Sequence, residues 1–179
     1  MPELPEVETT KRGIEPHITG KCITDIVVRN AALRQPVTTN IAKYCRGQRI
    51  LSVSRRGKYL LITTPKGHLL IHLGMSGSLR VVAANTPAQK HDHVDLVIGK
   101  QAVRLRDPRR FGLFLWSDER LADHPLLNHL GPEPLEDSFS AEYLWSRSRK
   151  RRVAIKNFIM NSQVVVGVGN IYANEALFM

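Results

Sequence analysis

Cysteine is scarce in this sequence of 179 residues, which contains only Cys22 and Cys45. The two cysteines stand alone and form no CxxC pair, so these residues provide no zinc ribbon. Isolated cysteines of this kind are typical of reduced thiols in the core of a cytosolic protein. We therefore expect both thiols to be buried and the protein to be cytoplasmic.

Long hydrophobic runs are also missing. No apolar run approaches the roughly 18–20 residues that a membrane span requires. The N-terminus lacks the basic region followed by an apolar stretch that marks a secretory signal. Hydrophobic residues make up 42% of the chain and aromatic residues only 6%, which is ordinary for a soluble globular protein. We expect one good core, or one domain with part of a second, and no membrane partner.

Acidic residues are too few to balance the basic ones. The sequence has 16 Asp and Glu against 26 Lys and Arg, which gives a formal net charge of +10. An excess of this size predicts a polyanionic partner. Charge alone does not distinguish DNA from RNA or from an anionic membrane surface.

Short apolar stretches that alternate with polar residues follow one another closely between residues 22 and 116. Glycine-containing turns such as Pro65-Lys66-Gly67 separate them. This pattern predicts the strands of a two-sheet β-sandwich or flattened barrel. Before them, a thin apolar stripe at helical spacing predicts a helix that begins near Leu4 and ends near Gly13.

The composition changes at the segment GPEPL, residues 131–135, where two prolines and a glycine occur together. Such a segment is typical of a domain boundary. We predict an α+β protein with a sandwich domain over residues 1–130, a linker over 131–140 and a helical part over 141–179. The last apolar stretch resembles an unfinished helix, so we expect the sequence to be a fragment of a longer chain.

The first residues, MPELPEV, combine a potential nucleophile with two carboxylates. Removal of Met1 would leave Pro2 with a free secondary amine, and an α-amino group has a pKa of roughly 7.7–8.0. Such an amine can form a Schiff base as a catalytic lysine does. Glu3 and Glu6 are three residues apart, so they share one helix face and could act as acid and base. The same residues also fit a capped, acidic first turn without chemistry, because Pro5 suits the start of a helix.

Three further segments have both a functional and a structural interpretation. Lys58 lies in a basic turn that could hold a phosphate or could be merely solvated. Met75 lies in a glycine-flanked loop, where it could project or fill the core. Arg109 and Phe111 lie in a second loop and could fill the stack that an everted base leaves. Alternatively, this is a surface hairpin loop with Phe111 tucked beneath it.

His91, His93 and Asp95 alternate along one predicted strand face. Two histidines and a carboxylate could ligate a metal. A polar face on a nucleic-acid surface is the simpler interpretation, because no other residues support the metal.

A glycine turn, Gly167-Val168-Gly169, precedes Asn170. It resembles a dinucleotide fingerprint only weakly, because Tyr172 stands where the third glycine belongs. A glycine turn that opens a helix can still present N–H groups to a phosphate. Asn170 could donate alongside them, and Lys156 and the basic run 147–152 add positive charge nearby.

Seven stretches of the chain, in order, closely resemble bacterial formamidopyrimidine-DNA glycosylases, which remove oxidised purines such as 8-oxoguanine. These stretches are MPELPEVET, RRGKYLL, IHLGMSGSLR, KHDHVDL, DPRRFG, HLGPEPL and VVGVGNIYANE. They extend from the first residue to the last few. One motif alone would be a weak signal, but seven in the same order make coincidence a poor explanation.

The resemblance implies a role for each matched residue. Pro2 is similar to the nucleophile that attacks the sugar C1′, and Glu3 to the group that acts on the deoxyribose ring. Glu6 and Lys58 complete the implied catalytic set, Glu6 in support of Glu3 and Lys58 at a DNA phosphate near the lesion. The implied DNA contacts are Met75, Arg109 and Phe111 in the gap left by the everted nucleotide; Asn170 of a helix–two-turns–helix motif, on a phosphate; and His91, Lys156 and Glu175 as further DNA or lesion contacts.

The resemblance also implies a reaction and a partner. The reaction is glycosylase action followed by β,δ-elimination at the abasic site, without an external cofactor. The partner is double-stranded DNA that contains oxidised bases or abasic sites, bound by a monomer associated with the bacterial nucleoid. In the family, a C-terminal zinc finger with four cysteines holds one structural zinc, and this segment contains no such ligand set.

Three alternatives remain open from the residues. The related enzyme for oxidised pyrimidines is disfavoured, because the PELPEV start and the set of Met75, Arg109 and Phe111 favour the purine enzyme. A fragment could bind damaged DNA without turning it over. A nuclease could use a metal held by His91, His93 and Asp95.

Overall fold

The structure is a computed structural model that describes residues 2–179. In these residues the chain forms helices and strands in the following order: α1 (Leu4–Ile18), β1 (Asp25–Val28), α2 (Ile41–Cys45), β2 (Ser52–Arg56), β3 (Tyr59–Thr64), β4 (Gly67–His72), β5 (Ser78–Ala83), β6 (Asp92–Ile98), β7 (Gln101–Arg106), β8 (Leu113–Ser117), α3 (Ala141–Ser148), α4 (Ile155–Ile159) and α5 (Asn170–Phe178).

The strands form two antiparallel sheets of four strands each. Their orders are β1-β6-β7-β5 and β2-β3-β4-β8. Buried side chains from both sheets meet in one core, for example Leu60 and Ile71 from the second sheet and Leu96 and Leu105 from the first. The predicted α+β fold, a two-sheet sandwich with an N-terminal helix and a later helical part, is confirmed.

Helix α1 covers this core with one apolar face. Val7, Ile14 and Ile18 lie on that face and are almost completely buried. The helix continues to Ile18, so the predicted end near Gly13 is wrong. The apolar spacing continues past the glycine, and burial of Ile14 and Ile18 stabilises the last turns although Pro16 lacks a backbone donor.

The helical state of Gly13 can be tested by substitution. A Cβ built on Gly13 meets nothing within 4 Å. Gly13→Ala should therefore raise the free energy of unfolding by about 0.5–1 kcal/mol, because alanine loses less backbone entropy in a helix. Gly20→Ala is the matched control: its Cβ also meets nothing within 4 Å, but its φ is +79°, so this variant should lose stability. Urea unfolding of both variants measures the difference, and a destabilised Gly13→Ala would contradict the helix.

Two elements and one cysteine depart from the sequence-based expectations. The short helix α2 and strand β5 were not predicted, because neither has a long enough apolar period to stand out. Cys45 is buried, and burial raises its pKa to about 12. Cys22 is exposed, so the expectation of two core thiols is wrong for this residue. Among residues 2–179 no helix is long and apolar enough to cross a membrane.

Glu133 connects the segment after the sandwich to the turn between β2 and β3. Its carboxylate accepts hydrogen bonds from the Gly57 N–H at 2.7 Å, from Arg55 at 2.7 Å and from Arg56 at 3.1 Å. Burial would raise the pKa of Glu133, but the Gly57 N–H and the two guanidiniums hold it below its ordinary value. Arg55 and Arg56 belong to strand β2, and the turn that carries Lys58 consists of Gly57 and Lys58.

Candidate functional site

Glu3 lies at the meeting point of the two ends of the chain. It is only 1% exposed. Its carboxylate accepts hydrogen bonds from the backbone N–H groups of Gly169 at 2.8 Å, Ile171 at 2.7 Å and Tyr172 at 3.2 Å. These donors belong to the free N-terminus of α5, which is complementary to a carboxylate. The first residues and the last helix therefore form one site.

The glycine turn before α5 makes this close approach possible. A Cβ on Gly169 would lie 2.5 Å from the Glu3 carboxyl carbon, and one on Gly167 would lie 2.3 Å from a Leu4 methyl carbon. The Leu4 N–H also donates to the Gly167 carbonyl at 3.1 Å. The absence of side chains on these two glycines thus makes room for the start of α1. This packing explains the glycine spacing without a bound dinucleotide.

The other two N-terminal site residues adjoin Glu3. The exposed Glu6 accepts a hydrogen bond from the Glu3 N–H at 2.9 Å, which caps the first turn of α1 as one interpretation predicted. Pro2 directly precedes Glu3 and is half-buried. Met1 lies outside the described residues. A nucleophile at Pro2 would therefore be one residue from a carboxylate that other contacts hold in place.

Lys58 approaches the same site from the β2–β3 turn. Its Nζ donates to the Val168 carbonyl at 3.2 Å, within the glycine turn. Burial lowers the pKa of Lys58, and the negative charges of Glu3 and Glu6 partly oppose this effect. The structure therefore brings together all four residues predicted as catalytic, Pro2, Glu3, Glu6 and Lys58.

A cleft of about 170 Å³ lies beside Lys58, between the sandwich and the helical part. His72 lines it and was missed by sequence reasoning. Its ring packs on Tyr59, with centroids 4.9 Å apart, and its Nδ1 accepts the Gly74 N–H at 2.9 Å. Its place at the end of a strand, just before a glycine turn, was the only signal in the sequence.

The pH dependence of stability should report on His72. Burial, followed by the charges of Arg34 and Lys58, lowers its pKa from 6.5 to about 4. Because the unfolded chain binds this proton more readily, stability should fall as the pH drops from 6.5 to about 4. His72→Gln should flatten this part of the curve, as measured by urea unfolding at pH 7, 5.5 and 4.5. Equal pH slopes in the two proteins would contradict a neutral, buried His72.

The two loops predicted to enter DNA lie against each other. Met75 is 41% exposed and Phe111 is 42% exposed. The Arg109 guanidinium lies over the Phe111 ring, 4.8 Å from its centroid. The structural interpretation required Phe111 to be buried beneath its loop, and the exposure of its ring contradicts that interpretation. The arrangement presents three side chains at one surface.

The metal interpretation of His91, His93 and Asp95 is wrong. Asp95 is 2% exposed, and its oxygens accept hydrogen bonds from Arg104 at 2.8 Å and from Arg29 at 2.7 Å. The His93 Nε2 lies 2.8 Å from the Asp107 carbonyl oxygen. Within residues 2–179, no three His, Cys, Asp or Glu side chains are placed to hold a metal ion.

The remaining predicted DNA contacts occupy different places. Asn170 is exposed at the first position of α5, beside the donors that bind Glu3. Lys156 is half-buried in α4, His91 is half-buried before β6 and Glu175 is exposed on α5. Only Asn170 adjoins the Glu3 site. The roles of all four remain predictions.

Family profiles match most of the chain. Residues 1–114 match the formamidopyrimidine-DNA glycosylase N-terminal domain, and residues 130–179 match the H2TH domain of the same glycosylase. The first range covers the sandwich as far as the start of β8, and the second covers helices α3 to α5. The chain belongs to the formamidopyrimidine-DNA glycosylase family, which confirms the resemblance inferred from its motifs.

Curated relatives and solved structures agree with this assignment. The chain is 58% identical to the formamidopyrimidine-DNA glycosylase of Legionella pneumophila (strain Lens), over 100% of this chain and 66% of that protein. It therefore spans about two thirds of its curated relative. Its fold matches the Lactococcus lactis glycosylase bound non-covalently to DNA with an AP site, with a TM-score of 0.90 and 31% identity over 98% of this chain and 68% of the other. The same bacterial protein in complex with N7-benzyl-Fapy-dG DNA gives a TM-score of 0.90 and 32% sequence identity. That match covers 98% of this chain and 66% of the other.

Proposed function

We propose that this chain carries the catalytic part of a base-excision DNA glycosylase that removes oxidised purines and then cleaves the abasic site. In this proposal residues 1–130 hold the catalytic sandwich, and residues 141–179 contribute to DNA binding. The observation that carries the proposal is the position of Glu3. A buried carboxylate next to Pro2 is fixed by three N–H groups of α5, so the acid/base group is held beside the nucleophile before DNA binds.

The first step is an attack on the sugar. The Pro2 nitrogen lone pair forms a bond to C1′, and the bond from C1′ to the base nitrogen breaks. The Pro2 nitrogen then loses its N–H proton, which leaves it with a lone pair again. The base departs with the bonding electrons and takes up a proton. The C1′–O4′ bond then opens as the nitrogen forms an iminium with C1′, and Glu3 is the group that we assign to protonate O4′.

The second step uses the iminium as an electron sink. Removal of a C2′ proton sends electrons toward the iminium, and the C3′–O bond breaks to release one phosphate end. Removal of the C4′ proton then breaks the C5′–O bond in the same way. Water finally hydrolyses the iminium and restores Pro2. None of these steps needs a metal or an external cofactor, and we propose none for residues 2–179.

Binding of DNA rests on the charge and shape around this site. Lys58 and Asn170 flank Glu3 and can each engage a phosphate, which fixes the register of the duplex. The exposed side chains of Met75, Arg109 and Phe111 lie together and suit the space that an everted nucleotide leaves. The formal charge of +10 supports a polyanionic partner for the whole surface.

Borohydride trapping on a duplex with a single 8-oxoguanine tests the proposal. Borohydride reduces the Schiff base to a stable amine, so mass mapping should locate the adduct at Pro2. A matched duplex with guanine in place of the lesion should give no adduct. Lack of an adduct, even on a duplex that carries a preformed abasic site, would remove the Schiff-base assignment.

The main competing function is DNA binding without turnover. It is favoured by one fact, namely that the chain spans 66% of its curated relative. A gel-shift measurement beside the trapping assay separates the two functions. Tight binding of lesion-containing duplex without any trapped product would support the binding function.

A further inference from the structure

Asp107 is a buried carboxylate outside the catalytic set. It is completely buried at the end of β7, where the loop that carries Arg109 and Phe111 begins. One of its oxygens accepts the hydroxyl of Ser76 at 2.7 Å, from the loop that carries Met75. The other accepts the Gly112 N–H at 2.8 Å, at the far end of its own loop.

Ser76 completes the connection. Its hydroxyl oxygen also accepts a hydrogen bond from the Arg109 N–H at 3.1 Å. This one atom therefore contacts both the Asp107 carboxylate and the backbone of the Arg109–Phe111 loop. The backbones touch as well, because a Cβ on Gly74 would lie 2.5 Å from the Phe111 carbonyl carbon. Hydrogen bonds to a buried carboxylate are strong, since a lost partner leaves a desolvated charge.

We propose that Asp107 and Ser76 are positioning residues that join the Met75 loop and the Arg109–Phe111 loop into one rigid unit. This inference rests on the proposed function in one respect, namely that the unit inserts into DNA when a nucleotide leaves the stack. Neither Asp107 nor Ser76 takes part in the chemistry. Their effect is to keep the three inserted side chains at fixed distances from one another, so that they enter the duplex together.

Hydrogen exchange in the free protein tests the connection without DNA. Ser76→Ala should accelerate exchange of the Gly112 amide by about tenfold or more, although Gly112 binds the other oxygen of Asp107. Asp107→Asn should likewise accelerate exchange of the Gly77 amide. This amide donates to the Leu73 carbonyl within the Met75 loop. Ser76→Thr retains the hydroxyl and should preserve protection of Gly112. Unchanged exchange at both amides would overturn the proposal.

Two DNA substrates test the consequence for function. On a duplex with 8-oxoguanine, Ser76→Ala should lower kcat/KM by about 10- to 100-fold, the effect of losing a hydrogen bond to a charged group. On a single-stranded oligonucleotide with a preformed abasic site, where no stack must be filled, the rate should change by less than about threefold.

Controls separate the possible outcomes. Ser78→Ala removes a neighbouring hydroxyl at the start of β5, and within residues 2–179 this hydroxyl forms no hydrogen bond between the loops. Cleavage of both substrates should therefore continue at the original rates. If Ser76→Ala lost equal activity on the two substrates, or lost no activity on the duplex, the positioning role would be overturned. If the unchanged protein cleaves neither substrate, the proposed function fails, and the exchange measurement alone still decides whether the loops form one unit.

Discussion

Pro2→Gly should lower strand cleavage at 8-oxoguanine by roughly 100-fold or more and reduce borohydride trapping in parallel. The reason is the class of amine. A Schiff base on proline has no N–H proton to lose, so it remains a cationic electron sink at any pH. A Schiff base on the primary amine of glycine can lose its proton and become neutral. Single-turnover cleavage assays with purified protein measure the loss.

DNA affinity provides the control for this variant. Phosphate contacts dominate affinity for nucleic acid, and Pro2 lies outside helix α1. Binding of a duplex with a stable abasic-site analogue should therefore stay within about threefold of the unchanged protein. Cleavage at the original rate would place the nucleophile elsewhere, whereas parallel loss of binding would indicate a structural defect.

Glu3→Gln should have two large effects at once. Cleavage should fall by roughly 10²- to 10⁴-fold, the usual contribution of an acid/base group. The free energy of unfolding should fall by about 1–3 kcal/mol, because the amide group of glutamine would face N–H donors of α5 that now bind carboxylate oxygens. Rates normalised to the folded fraction, together with urea unfolding, separate the two effects.

Glu15→Gln is the matched control for Glu3→Gln. It makes the same chemical change within α1, where the Glu15 carboxylate forms a long ion pair of 3.9 Å with Lys11. A partly exposed pair of this kind contributes about 0–1 kcal/mol. Both stability and cleavage should remain close to those of the unchanged protein. If Glu3→Gln were as mild as this control, Glu3 would be neither a catalyst nor a cap for α5.

The sequence by itself determined the class of fold and the identity of the candidate site residues. Alternation of apolar and polar residues predicted most of the strands, because side chains on a strand alternate between two faces. The N-terminal motif indicated Pro2, Glu3 and Glu6 as candidates, and the resemblance to the glycosylase family assigned their roles. The strand prediction succeeded because it depends on residues that are close together in the chain, whereas the roles of the N-terminal residues remain predictions.

Local patterns failed where distant residues decide the outcome. Gly13 indicated a helix end, but packing of Ile14 and Ile18 against the sandwich carries α1 further. His91, His93 and Asp95 have a spacing that suits a metal. The spacing could not reveal that Arg29 and Arg104 already occupy the Asp95 carboxylate.

Only the tertiary structure decided how the site is assembled. Glu3 and Gly169 are 166 positions apart, and no local pattern connects a carboxylate at one end with a helix N-terminus at the other. The link between Ser76 and Asp107 spans 31 positions in the same way. Such contacts arise because buried carboxylates must find donors once the sheets and helices have packed. The sequence specified which groups are available, and packing decided which of them meet.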